Sequence, residues 1–227
     1  MTISIIIPTY NEAAVIGKLV RYLLLRTSDG TEIIVADGGS EDGTPAIARE
    51  AGASTMLCKQ KGRGPQMNEG AAAASGDILY FLHADTFPPD QFETHIQQAI
   101  ERGQGSGCFR LKFDEPHWFL KVNAWFTRFN VDAIRFGDQS LFVKRDLFEQ
   151  AGGFDKNLLL LEDQEIIHRL RSKTSFTVLP LSVTTSARKY KEVGVYKLQA
   201  GYFLIYGLYR LGVSQKRLAK IYRLLLT

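Results

Sequence analysis

The sequence predicts an α/β fold with a doubly wound, mostly parallel sheet and a helical C-terminal tail. Its short apolar runs are continuous and β-branched, as at residues 3–7, which is typical of strands covered on both faces. Helical segments alternate with these runs through the first half of the chain, as right-handed crossovers require. Polar residues directly follow three of the runs, at the edge where open α/β sheets bind ligands.

The elements of the first half follow in order. Strands are predicted at residues 3–7, 32–36, 54–58 and 77–82. The first helix covers residues 11–26, where apolar side chains recur at helical spacing. Pro45 suits the first turn of a second helix, the Ala-rich residues 63–75 form a third, and the fourth begins at residues 88–90.

The second half is less regular. Strands are predicted at residues 105–113, 139–143 and 175–179, and helices at residues 116–129 and 162–171. The first of these helices carries an apolar stripe that is typical of a buried core contact: Trp118, Val122, Trp125, Phe126 and Phe129. The remainder is predicted to be helical, which gives a main domain at residues 1–190 and a basic, aromatic tail at residues 191–227.

The composition is that of one globular domain, with 227 residues, 45% hydrophobic and 23% charged. Cys58 and Cys108 match no metal-ligand spacing and are expected to be buried thiols. At the N-terminus no basic segment precedes an apolar stretch, so we expect no signal peptide and a cytoplasmic location.

The charge is unevenly distributed. The net charge is +4, but the segment from Arg188 onward has nine Lys or Arg and one acid, Glu192. A basic tail rich in apolar residues favours an anionic surface at the inner face of the cell membrane over nucleic acid, which we do not expect as a partner. Packing of the tail on the domain, or within a homodimer, is the alternative.

The first three polar segments suggest a nucleotide and metal site. Asp37 can accept a hydrogen bond from a nucleobase N–H, and Asp85 beside a diphosphate suits Mg²⁺ or Mn²⁺. These residues also have ordinary structural alternatives. Asp37 begins a favourable turn sequence, and Asp85 could be a loop residue close to a helix. Thr9 and Glu12 could stabilise the start of the first helix.

Two later positions also admit two interpretations. Arg63 lies at the start of the third helix, where a guanidinium and free backbone N–H groups suit phosphate, although it could belong to a solvated basic loop. Glu162 and Asp163 open another helix. Acidic side chains stabilise the N-terminus of a helix without any further role, but one of these two could serve as a general base.

Taken together, these segments resemble the family-two glycosyltransferases with the GT-A fold, over about residues 2–170. The resemblance rests on the order of four motifs: residues 8–12 (Pro-Thr-Tyr-Asn-Glu), 37–44 (Asp-Gly-Gly-Ser-Glu-Asp-Gly-Thr), 75–77 (Ser-Gly-Asp) and 152–155 (Gly-Gly-Phe-Asp), the last followed by Glu162 and Asp163. It implies inverting transfer from a nucleotide-diphospho-sugar to an acceptor hydroxyl, assisted by Mg²⁺ or Mn²⁺.

The resemblance also implies residue roles. Asp163, with Glu162 beside it, would be the catalytic base, and Asp85 would hold the metal. The implied nucleotide-binding residues are Thr9, Tyr10, Glu12, Asp37, Gly38 and Asn68. More narrowly, three segments resemble a subgroup of small bacterial members of unassigned substrate: residues 62–68 (Gly-Arg-Gly-Pro-Gln-Met-Asn), 83–86 (His-Ala-Asp-Thr) and 137–140 (Gly-Asp-Gln-Ser). Asp138 and Gln139 in the last of these would contact the donor sugar or the acceptor.

Two positions depart from the family pattern. His83 stands where the metal motif usually has Asp, so it would supply a nitrogen ligand or leave the metal more weakly held. Met67 stands where the family commonly has Arg before the Asn. Arg63, one helical turn earlier on the same face, is therefore expected to take the phosphate role.

Other functions fit less well. A nucleotidyltransferase would normally have a glycine-rich basic loop after the first strand, and a dinucleotide-dependent oxidoreductase would have Gly-x-Gly-x-x-Gly there, but residues 8–12 contain no glycine. A non-catalytic sugar-nucleotide-binding protein remains as the alternative from another class. A lipid-linked acceptor and a homodimer are both left open.

Overall fold

The computed structural model describes residues 1–131 and 137–226. Its strands are β1 (Ile3–Thr9), β2 (Glu32–Asp37), β3 (Ser54–Leu57), β4 (Ile78–Phe81), β5 (Thr86–Phe87), β6 (Ser106–Phe113), β7 (Leu141–Lys144) and β8 (Phe176–Thr185). Its helices are α1 (Ala13–Leu24), α2 (Thr44–Glu50), α3 (Arg63–Ala73), α4 (Phe92–Glu101), α5 (Trp118–Phe126), α6 (Arg145–Gln150), α7 (Glu162–Arg171), α8 (Arg188–Val193), α9 (Val195–Arg210) and α10 (Gln215–Leu226).

One sheet of eight strands joins the two halves, in the order β3-β2-β1-β4-β7-β6-β8-β5. The first half is parallel, because β1 pairs in parallel with both β2 and β4, and β2 with β3. In the second half β7 runs antiparallel to β4 and β6, while β6 and β8 are parallel. The predicted α/β class, mostly parallel sheet and C-terminal helices are confirmed.

Alternating side chains of β1 show why the sheet is covered on both faces. Ile5 and Ile7 pack into one buried cluster with apolar residues of α1, including Leu19. Ile6 points the other way, into a second cluster that contains Met67 and Phe154. Because successive strand residues face opposite sides, a continuous apolar run is what a strand between two helical layers requires. Met67, at the family's usual arginine position, is therefore a core residue.

Several boundaries in the second half differ from the prediction. Strand β8 runs to Thr185 instead of ending at residue 179, because its parallel pairing with β6 continues past a register shift between Phe109 and Arg110. The two-residue strand β5 and the short helix α6 were not predicted. Residues 137–139 form a 3₁₀ turn before β7, where the start of a strand was expected. The extent of β8 and the presence of β5 depend on pairing with distant segments, which local patterns do not contain.

The C-terminal helices pack on the domain. Leu198 of α9 and Leu226 of α10 lie in a third buried cluster with Phe113 and Leu120. Gly201 makes the α9–α10 contact feasible, since a Cβ atom there would lie 2.5 Å from a Leu226 methyl carbon. The packing alternative for the tail is thus observed, while the division of the chain at residue 190 stays a prediction.

The expectation of a buried aromatic stripe on α5 is wrong. Trp118 is 61% exposed and Trp125 is 47% exposed, and the other members of the stripe are also exposed. The helix contacts the domain through its opposite side instead, where Leu120 is buried and Asn123 hydrogen-bonds to Gln199. Helical spacing identified the face correctly, but not which way that face points.

Candidate active site

The ends of β1 and β2 meet at Thr9 and Asp37, which are aligned partners in the sheet. The Thr9 hydroxyl donates to Asp37 at 2.9 Å. The buried Asp37 carboxylate also accepts from the backbone N–H groups of Gly39 and Ser40 and from the Ser40 hydroxyl. Asp37 therefore holds the turn after β2 in one conformation, and its contact with a nucleobase stays a prediction.

Gln66 of α3 supports the same edge, and the sequence analysis missed it. Its buried amide donates to the backbone oxygens of Thr9 at 2.7 Å and Ala36 at 2.8 Å. A Cβ atom on Gly38 would lie 3.1 Å from this amide, so the absence of a side chain at Gly38 allows the close approach. The signal for Gln66 was a lone amide among small and apolar residues of an otherwise buried helix face.

Tyr10 and Glu12 border the open side of this edge. Tyr10 is exposed, and the Lys61 ammonium lies 4.9 Å from its ring centroid. An exposed ring in this position can stack on a flat ligand. Glu12 lies 3.4 Å from a guanidinium nitrogen of Arg188, the first residue of α8. Burial raises the pKa of Glu12 above its ordinary value, although the nearby Arg188 lowers it. Arg188 was not predicted as a site residue.

A second group of ionisable residues lies around the end of β4. His83 Nδ1 is 3.2 Å from Asp138 Oδ1. Burial lowers the pKa of His83, but the hydrogen bond to Asp138 and the negative charges of Asp138 and Asp163 together bring the pKa above its ordinary value. Burial raises the pKa of Asp138, but the His83 hydrogen bond and charge bring it below its usual range. The structure thus makes His83 the partner of Asp138, and its role as a metal ligand stays a prediction.

Asp85 completes this group. Burial raises its pKa, and the negative charge of Asp138 raises it further. Two carboxylates that repel each other in a partly buried site suit a hard divalent cation, which prefers oxygen ligands. Within residues 1–131 and 137–226, however, no group of three or more His, Cys, Asp or Glu side chains is arranged to hold a metal. A cation at Asp85 would therefore complete its shell with phosphate oxygens and water.

A third group joins α3 to α7. Arg63 Nε lies 2.8 Å from Oε1 of the buried Glu162, and that charge raises the pKa of Arg63. The two helix starts lie close together, since a Cβ atom at Gly64 would be in ordinary van der Waals contact with the Glu162 Cβ at 3.8 Å. Burial raises the pKa of the neighbouring Asp163 to about 6, and the negative charge of Glu162 adds to that effect.

A cavity of about 300 Å³ lies beside Asp163. Its polar lining includes Asp138, Gln139 and Gln164, and much of the rest is apolar or aromatic: Leu111, Phe113, Phe126, Leu160, Leu161, Tyr190, Tyr202, Phe203, Ile205 and Tyr222. Gln164 is buried, and neither atom of its amide has a hydrogen-bond partner among the residues that the structure describes. A buried amide without a partner is costly, so Gln164 is a candidate to bind a ligand in this cavity.

The structure brings most predicted site residues into one connected region. Electrostatic coupling links Glu12 to Asp85, Asp85 to Asp138, and Asp138 to Asp163. Asn68 is different, because both ends of its amide hydrogen-bond to the backbone of Phe154. These contacts connect α3 to the turn before α7 and do not favour the predicted nucleotide contact.

The family of this chain follows from its similarity to known proteins. The sequence profile of "Glycosyl transferase family 2" matches residues 4–149, more than half of the chain. The chain is a family 2 glycosyltransferase.

Two curated members illustrate the relationship. Glycosyltransferase AglE of Haloferax volcanii is 27% identical over 176 residues, which cover 69% of this chain and 57% of that protein. The undecaprenyl-phosphate 4-deoxy-4-formamido-L-arabinose transferase of Aeromonas hydrophila is 28% identical over 131 residues, covering 53% of this chain and 40% of that one. This glycosyltransferase thus spans about half the length of such relatives.

Solved structures show the same fold. The mannosyltransferase PcManGT of Pyrobaculum calidifontis, in complex with GDP-Man and Mn²⁺, superposes with a TM-score of 0.73 at 18% identity, over 97% of this glycosyltransferase and 69% of that chain. TarS of S. aureus, in complex with UDP-GlcNAc, gives a TM-score of 0.67 at 16% identity, over 82% of this chain and 58% of that one. The predicted GT-A-like fold is therefore confirmed.

Proposed function

We propose that this glycosyltransferase moves a sugar from a nucleotide-diphospho-sugar to an acceptor hydroxyl with inversion, using Asp163 as the general base. The observation that carries the proposal is a buried carboxylate with a pKa raised to about 6, set in the wall of a cavity next to the predicted donor site. A base with a pKa near the working pH combines an adequate ionised fraction with useful proton affinity.

The donor is assigned to the edge formed by β1, β2 and the turn after β4. Tyr10 offers a stacking surface for the base, and Asp37 with Gly38 shapes the turn beneath it. Asp85 would hold Mg²⁺ or Mn²⁺, as the Mn²⁺ in the Pyrobaculum complex supports. When bound, such an ion supplies positive charge that stabilises a leaving diphosphate. Arg188, half exposed beside Glu12, adds a second cation on the same side.

The transfer step then requires one proton movement. Asp163 takes the proton of the acceptor hydroxyl, the acceptor oxygen forms a bond to the anomeric carbon, and the bond to the diphosphate oxygen breaks on the opposite face. Asp138 and Gln139 line the cavity with Asp163 and would contact the donor sugar or the acceptor. A direct displacement needs no covalent enzyme intermediate, so the configuration inverts.

A lipid-linked acceptor is our preferred class. Its support is the apolar and aromatic lining of the cavity beside Asp163. The name of the Aeromonas relative, an undecaprenyl-phosphate sugar transferase, points the same way. A cytoplasmic enzyme in peripheral contact with the membrane would meet such an acceptor. Within the residues that the structure describes, no helix is both long and apolar enough to cross a bilayer.

Asp163→Asn tests the proposal. We expect donor binding, measured by thermal shift with nucleoside diphosphates and nucleotide-sugars, to persist in this variant. Transfer, and hydrolysis of the donor in the absence of an acceptor, should fall by about 10²- to 10⁴-fold, the usual contribution of a general base. Near-normal turnover by Asp163→Asn would mean that Asp163 only stabilises the start of α7. A wild-type protein that binds donors but never cleaves them would be a non-catalytic sugar-nucleotide-binding protein.

A further inference from the structure

The exposed side of α5 is unusually apolar. We define the α5 aromatic face as Trp118, Val122, Trp125, Phe126 and Phe129, all of which are exposed. The rings of Trp125, Phe126 and Phe129 contact one another, with Trp125 and Phe129 at a centroid distance of 5.1 Å, and the Trp118 ring contacts His117 and Phe119. A contiguous exposed patch of large aromatic side chains marks an interaction surface more often than single exposed apolar residues do.

The face continues onto α9. Tyr196 at the start of α9 contacts the ring of Phe119 at 5.2 Å and that of His117 at 6.0 Å. Tyr196 and, further along the helix, Phe203 and Leu204 are exposed. Two helices that are separate in the sequence therefore present a joint apolar surface.

Basic side chains border this surface. The Arg128 guanidinium lies 4.6 Å from the Trp125 ring centroid. A groove that includes Trp125 is also lined by Arg110, Lys112 and Lys121. Of the two acids in that groove, Glu115 is already paired with Lys191 at 2.5 Å. Aromatic rings flanked by Lys and Arg are the composition found where proteins meet the headgroups of anionic bilayers.

The cavity beside Asp163 opens toward the same surface. Phe126 of α5 and Phe203 of α9 both line that cavity, yet they are 46% and 57% exposed. Each ring thus belongs both to the cavity wall and to the outer face. The lining of the cavity therefore extends from the buried Asp163 carboxylate to apolar rings that are exposed to solvent.

We propose that the α5 aromatic face docks this enzyme on an anionic lipid bilayer, and that the lipid portion of the acceptor enters the cavity between Phe126 and Phe203. The inference rests on the proposed function and names the acceptor's chemical class and its route. A bilayer is favoured over a second copy of the chain because anionic headgroups complement Arg110, Lys112, Lys121 and Arg128, whereas a second copy would bring the same positive charges together.

This assignment changes which element contacts the membrane. The sequence made the tail the candidate membrane contact, with packing as the alternative. Leu198 and Ile205 of α9 and Leu218 of α10 face inward and are buried. The basic residues of α10 then add long-range attraction to an anionic surface, while α5 supplies the apolar contact.

Intrinsic fluorescence tests the docking directly, because the two tryptophans of the chain, Trp118 and Trp125, both lie on this face. We expect a blue shift when vesicles of phosphatidylglycerol and phosphatidylcholine are added to the full chain at low salt, and a smaller shift with phosphatidylcholine alone. An absent shift, or an equal shift with neutral vesicles, overturns the proposal. A blue shift that appears on concentrating the protein without lipid also overturns it, in favour of self-association.

Vesicle flotation of variants locates the contact. Trp118→Ser/Trp125→Ser should reduce vesicle binding by about tenfold or more, given the apolar area that each ring buries. Leu25→Ser/Leu57→Ser is the matched control, because these side chains are 82% and 74% exposed on other elements, and it should bind vesicles like the wild type. Equal binding by both double variants would refute the α5 aromatic face as the contact.

Donor cleavage, measured in parallel without lipid, separates this inference from the proposed function. Normal donor cleavage with no vesicle binding would defeat only the docking. Vesicle binding in a protein that never cleaves a donor would defeat the proposed reaction and keep the docking.

Discussion

Arg63 Nε lies 2.8 Å from Oε1 of Glu162, so the first residues of α3 and α7 form an ion pair next to the candidate base Asp163. Glu162 is buried while the Arg63 side chain is 47% exposed. The guanidinium therefore offsets the charge of a buried acid while part of its own side chain stays open to solvent. The two members of the pair have opposite effects on the pKa of Asp163: Glu162 raises it and Arg63 lowers it.

Glu162→Gln should shift the pH profile of transfer. Asp163 must be ionised to accept a proton, so activity rises as the pH increases through its folded pKa of about 6. Removing the charge of Glu162 lowers that pKa, and Arg63, freed from its partner, lowers it further. The acidic limb of kcat/KM should therefore move to lower pH than in the wild type. A limb that stays in place, or moves to higher pH, would contradict this electrostatic coupling.

Arg63→Ala should destabilise the protein, because it leaves the buried Glu162 carboxylate without its partner. Such a loss costs about 1–3 kcal/mol. The double variant Arg63→Ala/Glu162→Gln should recover much of that free energy of unfolding, as measured by urea denaturation, because the orphaned charge is gone. If the double variant is as unstable as Arg63→Ala, the loss of the ion pair does not explain the lower stability of Arg63→Ala.

Arg63→Ala also separates the two roles of this arginine. If Arg63 contacts phosphate, the variant should bind a nucleoside diphosphate much more weakly but the nucleoside almost unchanged, since charge-assisted hydrogen bonds contribute about 1.5–3 kcal/mol. Calorimetry on the folded fraction measures both ligands. Equal losses for the two ligands would leave Arg63 with the structural role alone.

Asp85→Ala should abolish the enhancement of donor binding by Mn²⁺, because it removes the carboxylate assigned to the cation. His83→Ala should weaken the enhancement less, since His83 acts through its hydrogen bond to Asp138. Asp29→Ala is the control and should behave like the wild type, because Asp29 is an exposed acid before the start of β2, at the end of the strand opposite to Asp37. Titration of the donor with and without Mn²⁺ measures the effect, and an unchanged enhancement in Asp85→Ala would remove that residue from the metal site.

Gln164→Leu should weaken the use of the acceptor more than the binding of the donor. Its buried amide is free to bind a polar group of the acceptor in the cavity, so the substitution should raise the KM for the acceptor while the Kd for the donor stays constant. The leucine itself should be tolerated or slightly stabilising, because an amide with no partner among the described residues is removed from the interior. A lowered Tm together with an unchanged acceptor KM would assign Gln164 a purely structural role.

The sequence by itself determined the alternating architecture and the order of the site segments. Ile5, Ile6 and Ile7 are sufficient to indicate a strand between two layers, since a run with no polar face has nowhere else to lie. Because parallel strands end at one edge, Asp37 and Asp85 could be placed near each other before any coordinates. The family resemblance then extended this edge to Asp163.

Contacts between distant segments decided the rest. The register of β1 and β2 aligns Thr9 with Asp37, and the Thr9 hydroxyl donates to the carboxylate that holds the turn after β2. Asn68 hydrogen-bonds to Phe154, which is 86 positions away in the sequence. The same holds for α5, whose apolar stripe has a clear helical period and yet faces outward. Periodicity records that one side of a helix differs from the other, but whether that side meets the core or solvent depends on which surfaces of β6, α8 and α9 are left to cover it. Only the tertiary structure supplies that information.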